Sequence, residues 1–81
     1  MDQRGDILDV RGLKCPLPTL LARRALRRAP AGTTLTVLTD DPLAPIDIPH
    51  MCGQEGFEVL NIARNRDESE MILRNPVAAD V

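Results

Sequence analysis

The segment ILDVRGLKCPLP, residues 7–18, decides how this chain folds. Its first four residues, 7–10, form a short β-rich run, and a turn at residues 11–14 follows. Pro16 then favours the start of a helix, because its φ is already set and it lacks an N–H that the first helical turn would not use. The segment therefore predicts a strand, a turn and a helix in that order, with Cys15 between the turn and the helix.

Cys15 is the candidate reactive residue. We predict that it is the N-cap of the helix, with Pro16 at the first helical position. A sulfur there would face the unpaired N–H groups of the first turn and the positive end of the helix dipole, and both favour thiolate over thiol. The alternative is a small apolar residue of the core, followed by two prolines, Pro16 and Pro18, that only start a helix.

The neighbours of this cysteine are expected to support its reactivity. Arg11 and Lys14 add positive charge, and Gly12 permits a tight or left-handed backbone, so we expect the sulfur to lie at the surface. Pro16 and Pro18 stiffen the chain and would keep the sulfur projecting outward. These five residues are the expected supporting residues of the site.

Periodicity in the rest of the chain gives the extent of this helix and predicts four more elements. Apolar residues recur three and four apart after Pro16, whereas apolar and β-branched residues alternate in the later segments. We expect a helix from residue 16 to about 28, a strand over 33–39, a second helix, and strands over 57–63 and 70–74 that pair as an antiparallel hairpin around a turn at 65–68. The order β-α-β-α-β-β predicts the α+β class: a two-layer sandwich in which both helices cover one face of a four-stranded mixed sheet.

Two prolines complicate the second helix. Proline is accepted in the first turn of a helix but not in its middle, so we expect one irregular or 3₁₀ turn around residues 45–47 and a regular helix from about Ile48, just before Pro49. Gly53 and Gly56 are expected to close this helix.

Four arginines occupy the polar side of the first helix: Arg23, Arg24, Arg27 and Arg28. One interpretation is a solvated face that complements the negative end of the helix dipole. The other is a docking patch for an acidic partner or for an RNA backbone. The sequence leaves both open.

Composition narrows the possible functions. We expect one domain, residues 1–81, with a core over about 7–74 and loose ends. Phe57 is the single aromatic residue, so stacking platforms for bases are absent. Ten Lys and Arg against twelve Asp and Glu give a net charge of −2, which argues against direct DNA binding.

The cysteine content and the hydropathy indicate the cellular compartment of the protein. Cys15 and Cys52 are far apart and do not resemble the disulfide framework of small secreted domains. We find no pattern of a signal peptide and no apolar run of membrane-spanning length. We therefore expect a cytoplasmic protein that does not contact a membrane.

The motif around Cys15 resembles that of the TusA-like (SirA-type) family of sulfur carrier proteins. The similarity begins with residues 8–18, which include the Cys-Pro-x-Pro motif, and extends through residues 39–42 and 47–49 to Gly56 and Phe57. The family fold is a small β-α-β-α-β-β sandwich, and its members carry sulfur as a persulfide on the cysteine of the motif. The resemblance implies that Cys15 is this residue and that no cofactor is needed beyond the covalent persulfide.

The resemblance also implies partners. A cysteine desulfurase or a rhodanese-type enzyme would load the sulfur, and a downstream acceptor protein would receive it by transpersulfidation. The best-known route ends in 2-thiolation of uridine in transfer RNA. Similar proteins serve sulfur oxidation, molybdenum cofactor formation or selenium handling, and the sequence does not choose among these routes.

Two other classes of function remain open at this point. A thiol redox sensor would oxidise Cys15 and resolve it with Cys52, although no Cys-x-x-Cys pair is present. A soft-metal chaperone would add His50 and Met51 to the two cysteines as ligands, but no recurrent ligand spacing supports it. Met51 and Cys52 are predicted to belong to the apolar side of the second helix, and His50 to its surface. Turn and cap roles are expected of the three aspartates Asp40, Asp41 and Asp47.

Overall fold

Four strands and two helices make up the computed structural model, which describes residues 6–76. In chain order they are β1 (Asp6–Asp9), α1 (Leu17–Arg28), β2 (Thr34–Thr39), α2 (Ala44–Glu55), β3 (Glu58–Asn65) and β4 (Glu68–Arg74). The predicted order β-α-β-α-β-β is confirmed. Neither helix within residues 6–76 has the length and apolar content needed to cross a bilayer.

The sheet is mixed and has the strand order β1-β2-β4-β3. β1 runs parallel to β2, whereas β4 is antiparallel to both β2 and β3. A parallel pair needs a crossover connection, and α1 supplies it. Because β1 and β2 are parallel neighbours, the loops that follow them emerge at the same edge of the sheet. This brings the segment around Cys15 next to the segment that follows Thr39.

Both helices pack on one face of the sheet, as predicted. On β2, Leu35 and Val37 are buried, and the register places them opposite Leu73 and Met71 of β4. These four residues therefore share a face. The same buried cluster includes residues from both helices: Ala22 and Leu26 of α1, and Ala44, Ile48, Met51 and Cys52 of α2.

The second helix begins earlier than the prolines suggest. The Asp47 N–H donates to the Leu43 carbonyl (2.8 Å), so a helical hydrogen bond forms one turn before Ile48. Pro45 lies in the first turn, where its missing N–H has no helical partner to lose. The predicted start of the regular helix near Ile48 is therefore wrong, because α2 begins at Ala44, although the Ile46 N–H also donates to the Leu43 carbonyl (3.0 Å) as in a 3₁₀ turn. Pro49 lies inside the helix, which the buried side chains on either side of it hold against the sheet.

Glycine ends this helix at one position, not two. Gly56 has a left-handed backbone (φ 84°) and terminates α2, as expected, and the Phe57 N–H donates to the Cys52 carbonyl (2.9 Å). Gly53, expected to help close the helix, lies within it.

The ends of the strands differ slightly from the expectation. β3 and β4 extend to a tight connection at Arg66 and Asp67, with a bulge between Val59 and Asn61. Asn75 is not part of a loose tail: its carbonyl accepts the Gly32 N–H (2.8 Å), and its side-chain amide donates to the Leu26 carbonyl (3.1 Å). The rest of the predicted loose ends, residues 1–5 and 77–81, lies outside the described residues.

The two isoleucines of α2 test the placement of the core. Ile48 is 0% exposed and Ile46 is 61% exposed on the same helix. Ile48→Ala removes buried methylene groups and should lower the free energy of unfolding by about 2–5 kcal/mol. Ile46→Ala should change it by less than about 0.5 kcal/mol. Urea unfolding followed by circular dichroism measures both, and equal losses would mean that the buried face of α2 is assigned incorrectly.

Candidate functional site

Cys15 is exposed in the loop between β1 and α1, but it is not the N-cap of the helix. Pro16 is the N-cap, and α1 begins at Leu17 with Pro18 in its first turn. The Leu17 N–H donates to the Lys14 carbonyl (2.9 Å), and Pro18 has no N–H to offer. Of the N–H groups that were expected to converge on the sulfur, that of Leu17 is therefore used elsewhere and that of Pro18 is absent.

The thiol instead has a carboxylate partner. The Cys15 Sγ–H donates to Oδ2 of Asp47 (3.1 Å), which lies in the first turn of α2. This hydrogen bond, partial desolvation and the negative charges of Asp47 and Asp41 raise the pKa of the Cys15 thiol above its usual value. The prediction that the sulfur is shifted toward the thiolate is therefore wrong.

Two further aspartates hold the loop that contains the cysteine. The Cys15 N–H donates to Oδ2 of Asp41 (2.8 Å), and the Gly12 N–H donates to Oδ1 of Asp40 (2.9 Å). Gly12 has the left-handed backbone that was expected (φ 89°). We call the three carboxylates of Asp40, Asp41 and Asp47 the aspartate clamp. They connect the segment after β2 to the segment after β1.

Asp41 also has the turn role that the sequence predicts. Its side chain is buried, its Oδ1 accepts the Leu43 N–H (3.4 Å), and its own N–H donates to Oγ1 of Thr39 (3.1 Å). Sequence reasoning found this local role but missed the contact with Cys15. The signal that could have found it is topological, because the carboxyl ends of adjacent parallel strands meet at one edge of a sheet.

Arg11 is engaged by acidic residues of the sheet. Its guanidinium donates to both carboxylate oxygens of Asp9 (2.9 and 2.7 Å) and lies 3.6 Å from Glu68. The pair lowers the pKa of Asp9 to about 2, chiefly through the hydrogen bonds from Arg11. Of the two cations expected beside the sulfur, Arg11 is thus held by β1 and β4, and Lys14 is exposed next to Cys15.

A groove of about 240 Å³ lies between the two helices, beside the thiol. Asp47 lines it together with Pro16, which places its end at Cys15. The remaining lining residues come from α1 and α2: Thr19, Leu20, Arg23, His50, Met51 and Gln54. His50 was predicted to lie at the surface of α2, and it lines this groove.

Large apolar side chains are exposed on the segments that carry Cys15 and Asp47. Leu17 and Leu20 belong to the first turns of α1, Leu43 is the N-cap of α2, and Ile46 precedes Asp47. We call these four residues the apolar collar. An exposed apolar cluster next to a reactive group is typical of a surface that another protein covers.

The arginines of α1 divide into two pairs. Arg27 forms an ion pair with Glu55 of α2 (2.8 Å), and Arg23 lies 3.8 Å from the same carboxylate. These two side chains therefore connect the helices. Arg24 and Arg28 are exposed on α1, in accordance with a solvated face.

Cys52 is placed in the core. It is free and buried, and desolvation raises the pKa of its thiol to about 11. A buried, protonated thiol is a poor resolving partner for Cys15. Met51 is buried as predicted, whereas His50 is exposed. Within residues 6–76, no group of three or more His, Cys, Asp or Glu side chains is arranged to hold a metal ion.

Comparisons with known proteins agree with this arrangement. The family model of the sulfurtransferase TusA matches residues 6–75. A protein of Neisseria meningitidis serogroup A, whose name describes it as a candidate sulfur carrier, is 48% identical over 56 residues, which are 69% of this chain and 76% of the relative. The sulfur carrier protein TusA of Buchnera aphidicola subsp. Baizongia pistaciae is 45% identical over 57 residues, covering 70% of this chain and 72% of the relative. The crystal structure of the SirA-like protein from Desulfitobacterium hafniense superposes with a TM-score of 0.74 at 23% identity, over 88% of this chain and 97% of that one, and so shares the fold.

The two cysteines should differ sharply in reactivity. Iodoacetamide at neutral pH should modify the exposed Cys15 of the folded protein and leave the buried Cys52 unmodified. In concentrated denaturant both should react. Peptide mapping by mass spectrometry identifies the modified residue, and modification of Cys52 in the folded protein at a rate similar to that of Cys15 would contradict the placement of the two thiols.

Proposed function

Because the chain belongs to the TusA family of sulfur carrier proteins, we propose that it accepts a sulfane sulfur as a persulfide on Cys15 and passes it to a partner protein. One observation carries the proposal. Cys15, in the Cys-Pro-x-Pro motif, is the exposed thiol of the described chain, whereas Cys52 is buried in the core. A sulfur carried on Cys15 can be reached by another protein.

The transfer requires no oxidant or reductant. The Cys15 thiolate attacks the outer sulfur of a donor persulfide, a new S–S bond forms, and the donor's S–S bond breaks. The donor cysteine leaves as a thiolate, and Cys15 holds the sulfane sulfur. The reverse attack, by an acceptor's thiolate on the outer sulfur, unloads the carrier. The donor we propose is a cysteine desulfurase or a rhodanese-type enzyme.

The acceptor we propose is a protein that uses the sulfur, for example toward 2-thiouridine in transfer RNA. Sulfur trafficking in sulfur oxidation or in molybdenum cofactor formation is the alternative destination. The net charge of −2 and the absence of Trp and Tyr favour delivery to a protein rather than directly to a nucleic acid. The proposed setting is the cytoplasm, where thiols are kept reduced.

The apolar collar is the surface on which we expect partners to dock. Leu43 and Ile46 precede Asp47, which touches the thiol, and Leu17 follows the Cys-Pro pair. A partner that brings its own sulfur to Cys15 must approach over these side chains. The nearby arginines Arg23 and Arg24 supply positive charge for an acidic rim on the partner.

Loading should depend on one cysteine only. Incubation with a cysteine desulfurase and cysteine should make the protein one sulfur atom heavier, and Cys15→Ser should abolish this gain. Cys52→Ala is the matched control and should load normally, because its sulfur is not accessible. Intact-protein mass spectrometry measures the gain. Loading that persists in Cys15→Ser and is lost in Cys52→Ala would refute the proposal.

Substitutions in the apolar collar should slow loading from a protein donor but not loading from a small-molecule donor. Leu43→Ala with Ile46→Ala should lower the rate of loading from a desulfurase about fivefold or more, the effect of losing about 1 kcal/mol of interface energy. Loading from glutathione persulfide, which needs no docking surface, should be unchanged. Ile7→Ala, an exposed isoleucine of β1 (71% exposed), is the control. An equal loss with both donors would place the effect on the thiol and not on docking.

A further inference from the structure

Asp47 is fixed in a position where its charge acts directly on the reacting sulfur. Its Oδ2 lies 3.1 Å from Cys15 Sγ, and its backbone N–H is bonded to the Leu43 carbonyl (2.8 Å) at the start of α2. The backbone of Cys15 is held in turn by Asp41 (2.8 Å). Both sides of the S–H···O contact are therefore anchored. With both backbones fixed, the sulfur and the carboxylate separate only if the side chain of Cys15 or of Asp47 rotates.

Cys15 has three states, the thiol, the thiolate and the persulfide anion, and they interact differently with the Asp47 carboxylate. The thiol donates a hydrogen bond to it. The thiolate and the persulfide anion have no such proton, and each places negative charge near that of Asp47 and the neighbouring Asp41. The carboxylate thus stabilises the empty, protonated state relative to both anionic states.

We propose that Asp47 is a discharge gate: it holds empty Cys15 as a hydrogen-bonded thiol and disfavours the anionic persulfide, so that the loaded protein gives up its sulfur readily. This inference rests on the proposed function. Asp47 touches the reacting sulfur, and it sets the balance between the empty and the loaded states.

In the unloading step, the acceptor's thiolate attacks the outer sulfur of the Cys15 persulfide. The S–S bond at Cys15 breaks, and a new S–S bond forms on the acceptor. The net change is the movement of one sulfur atom to the acceptor and of one proton, from the acceptor's thiol to Cys15 Sγ. That proton is the one that Asp47 then accepts in a hydrogen bond. No oxidant or reductant takes part.

A general-base role for Asp47 is a less favourable explanation of the same contact. A carboxylic acid is a far stronger acid than a thiol, so the shared proton stays on the sulfur. The two roles predict opposite results when the charge is removed. If Asp47 is a general base, removal of its charge slows the attack by Cys15. If Asp47 instead stabilises the protonated thiol, removal of its charge makes the Cys15 thiolate easier to form.

Other ionisable groups belong to the segments around this thiol. They are Asp41, which binds the Cys15 N–H, Asp40 on the same loop, Lys14 beside the cysteine, and Arg23 and His50 in the groove. They are kept unchanged in the experiment, so that a difference in the pH profile reports the charge of Asp47.

The first arm of the test measures the empty state. The rate of Cys15 alkylation by iodoacetamide is recorded against pH for the native chain and for Asp47→Asn. The midpoint should move to lower pH in the variant, and the rate at neutral pH should rise several-fold. Asp6→Asn, the same charge change at the far end of β1, should leave the profile unchanged. An unchanged midpoint, or a lower alkylation rate at neutral pH, in Asp47→Asn would refute the proposed role of Asp47.

The second arm measures the loaded state. Isotope-labelled native chain and unlabelled Asp47→Asn compete for a limiting amount of glutathione persulfide, and intact mass spectrometry reads the sulfur on each at equilibrium. The Asp47→Asn chain should hold several-fold more sulfane sulfur than the native chain. Equal amounts on the two chains would refute the proposed role of Asp47 while leaving the proposed function intact. If neither chain gains sulfur on Cys15, the proposed function itself fails. Asp47→Ser repeats both arms if the asparagine variant does not fold.

Discussion

The aspartate clamp is the set of interactions on which the site depends. A parallel β1–β2 pair places two loops at one edge of the sheet, and the clamp joins them. The Asp40 and Asp41 carboxylates accept hydrogen bonds from the N–H groups of Gly12 and Cys15. These bonds fix the backbone of the cysteine, while its side chain stays exposed. Without these bonds, two backbone N–H groups at the edge of the fold would lose their partners.

The clamp also determines the chemical state of the sulfur. A cysteine before a helix is commonly activated by the N–H groups of the first turn. Here Pro18 and the Lys14–Leu17 hydrogen bond reduce that effect, and Asp47 adds a negative charge on the other side. An accessible thiol with a raised pKa is consistent with the discharge role that we propose for Asp47. Such a thiol is also less exposed to oxidation than a free thiolate.

Local sequence patterns were sufficient for most of the fold. The alternation of Leu35 and Val37 with threonines marked a strand with one buried face, and the left-handed Gly12 and Gly56 marked a turn and a helix end. The prediction for α2 failed because it did not recognise that Pro45 lies in the first turn, where proline is accepted. Pro49, by contrast, lies inside the helix and costs one hydrogen bond, and buried side chains hold the helix in place.

The environment of the site could not be read from local patterns. Cys15 and Asp47 are 32 positions apart, and no periodicity connects them. Their contact follows from the parallel pairing of β1 with β2, and the sequence gives only the order of these strands. Arg11 shows the same limit, since its partner Glu68 lies on β4, two strands away from β1 in the sheet.

We propose that the sulfur is carried on the exposed cysteine at this clamped edge of the sheet. A desulfurase supplied with cysteine that contains isotopically heavy sulfur tests this proposal, with the label mapped on the peptides of the carrier by mass spectrometry. We expect the heavy sulfur on the peptide that contains Cys15, and we expect an added thiol to remove it. Label on the peptide that contains Cys52, or on no peptide, would refute the proposal.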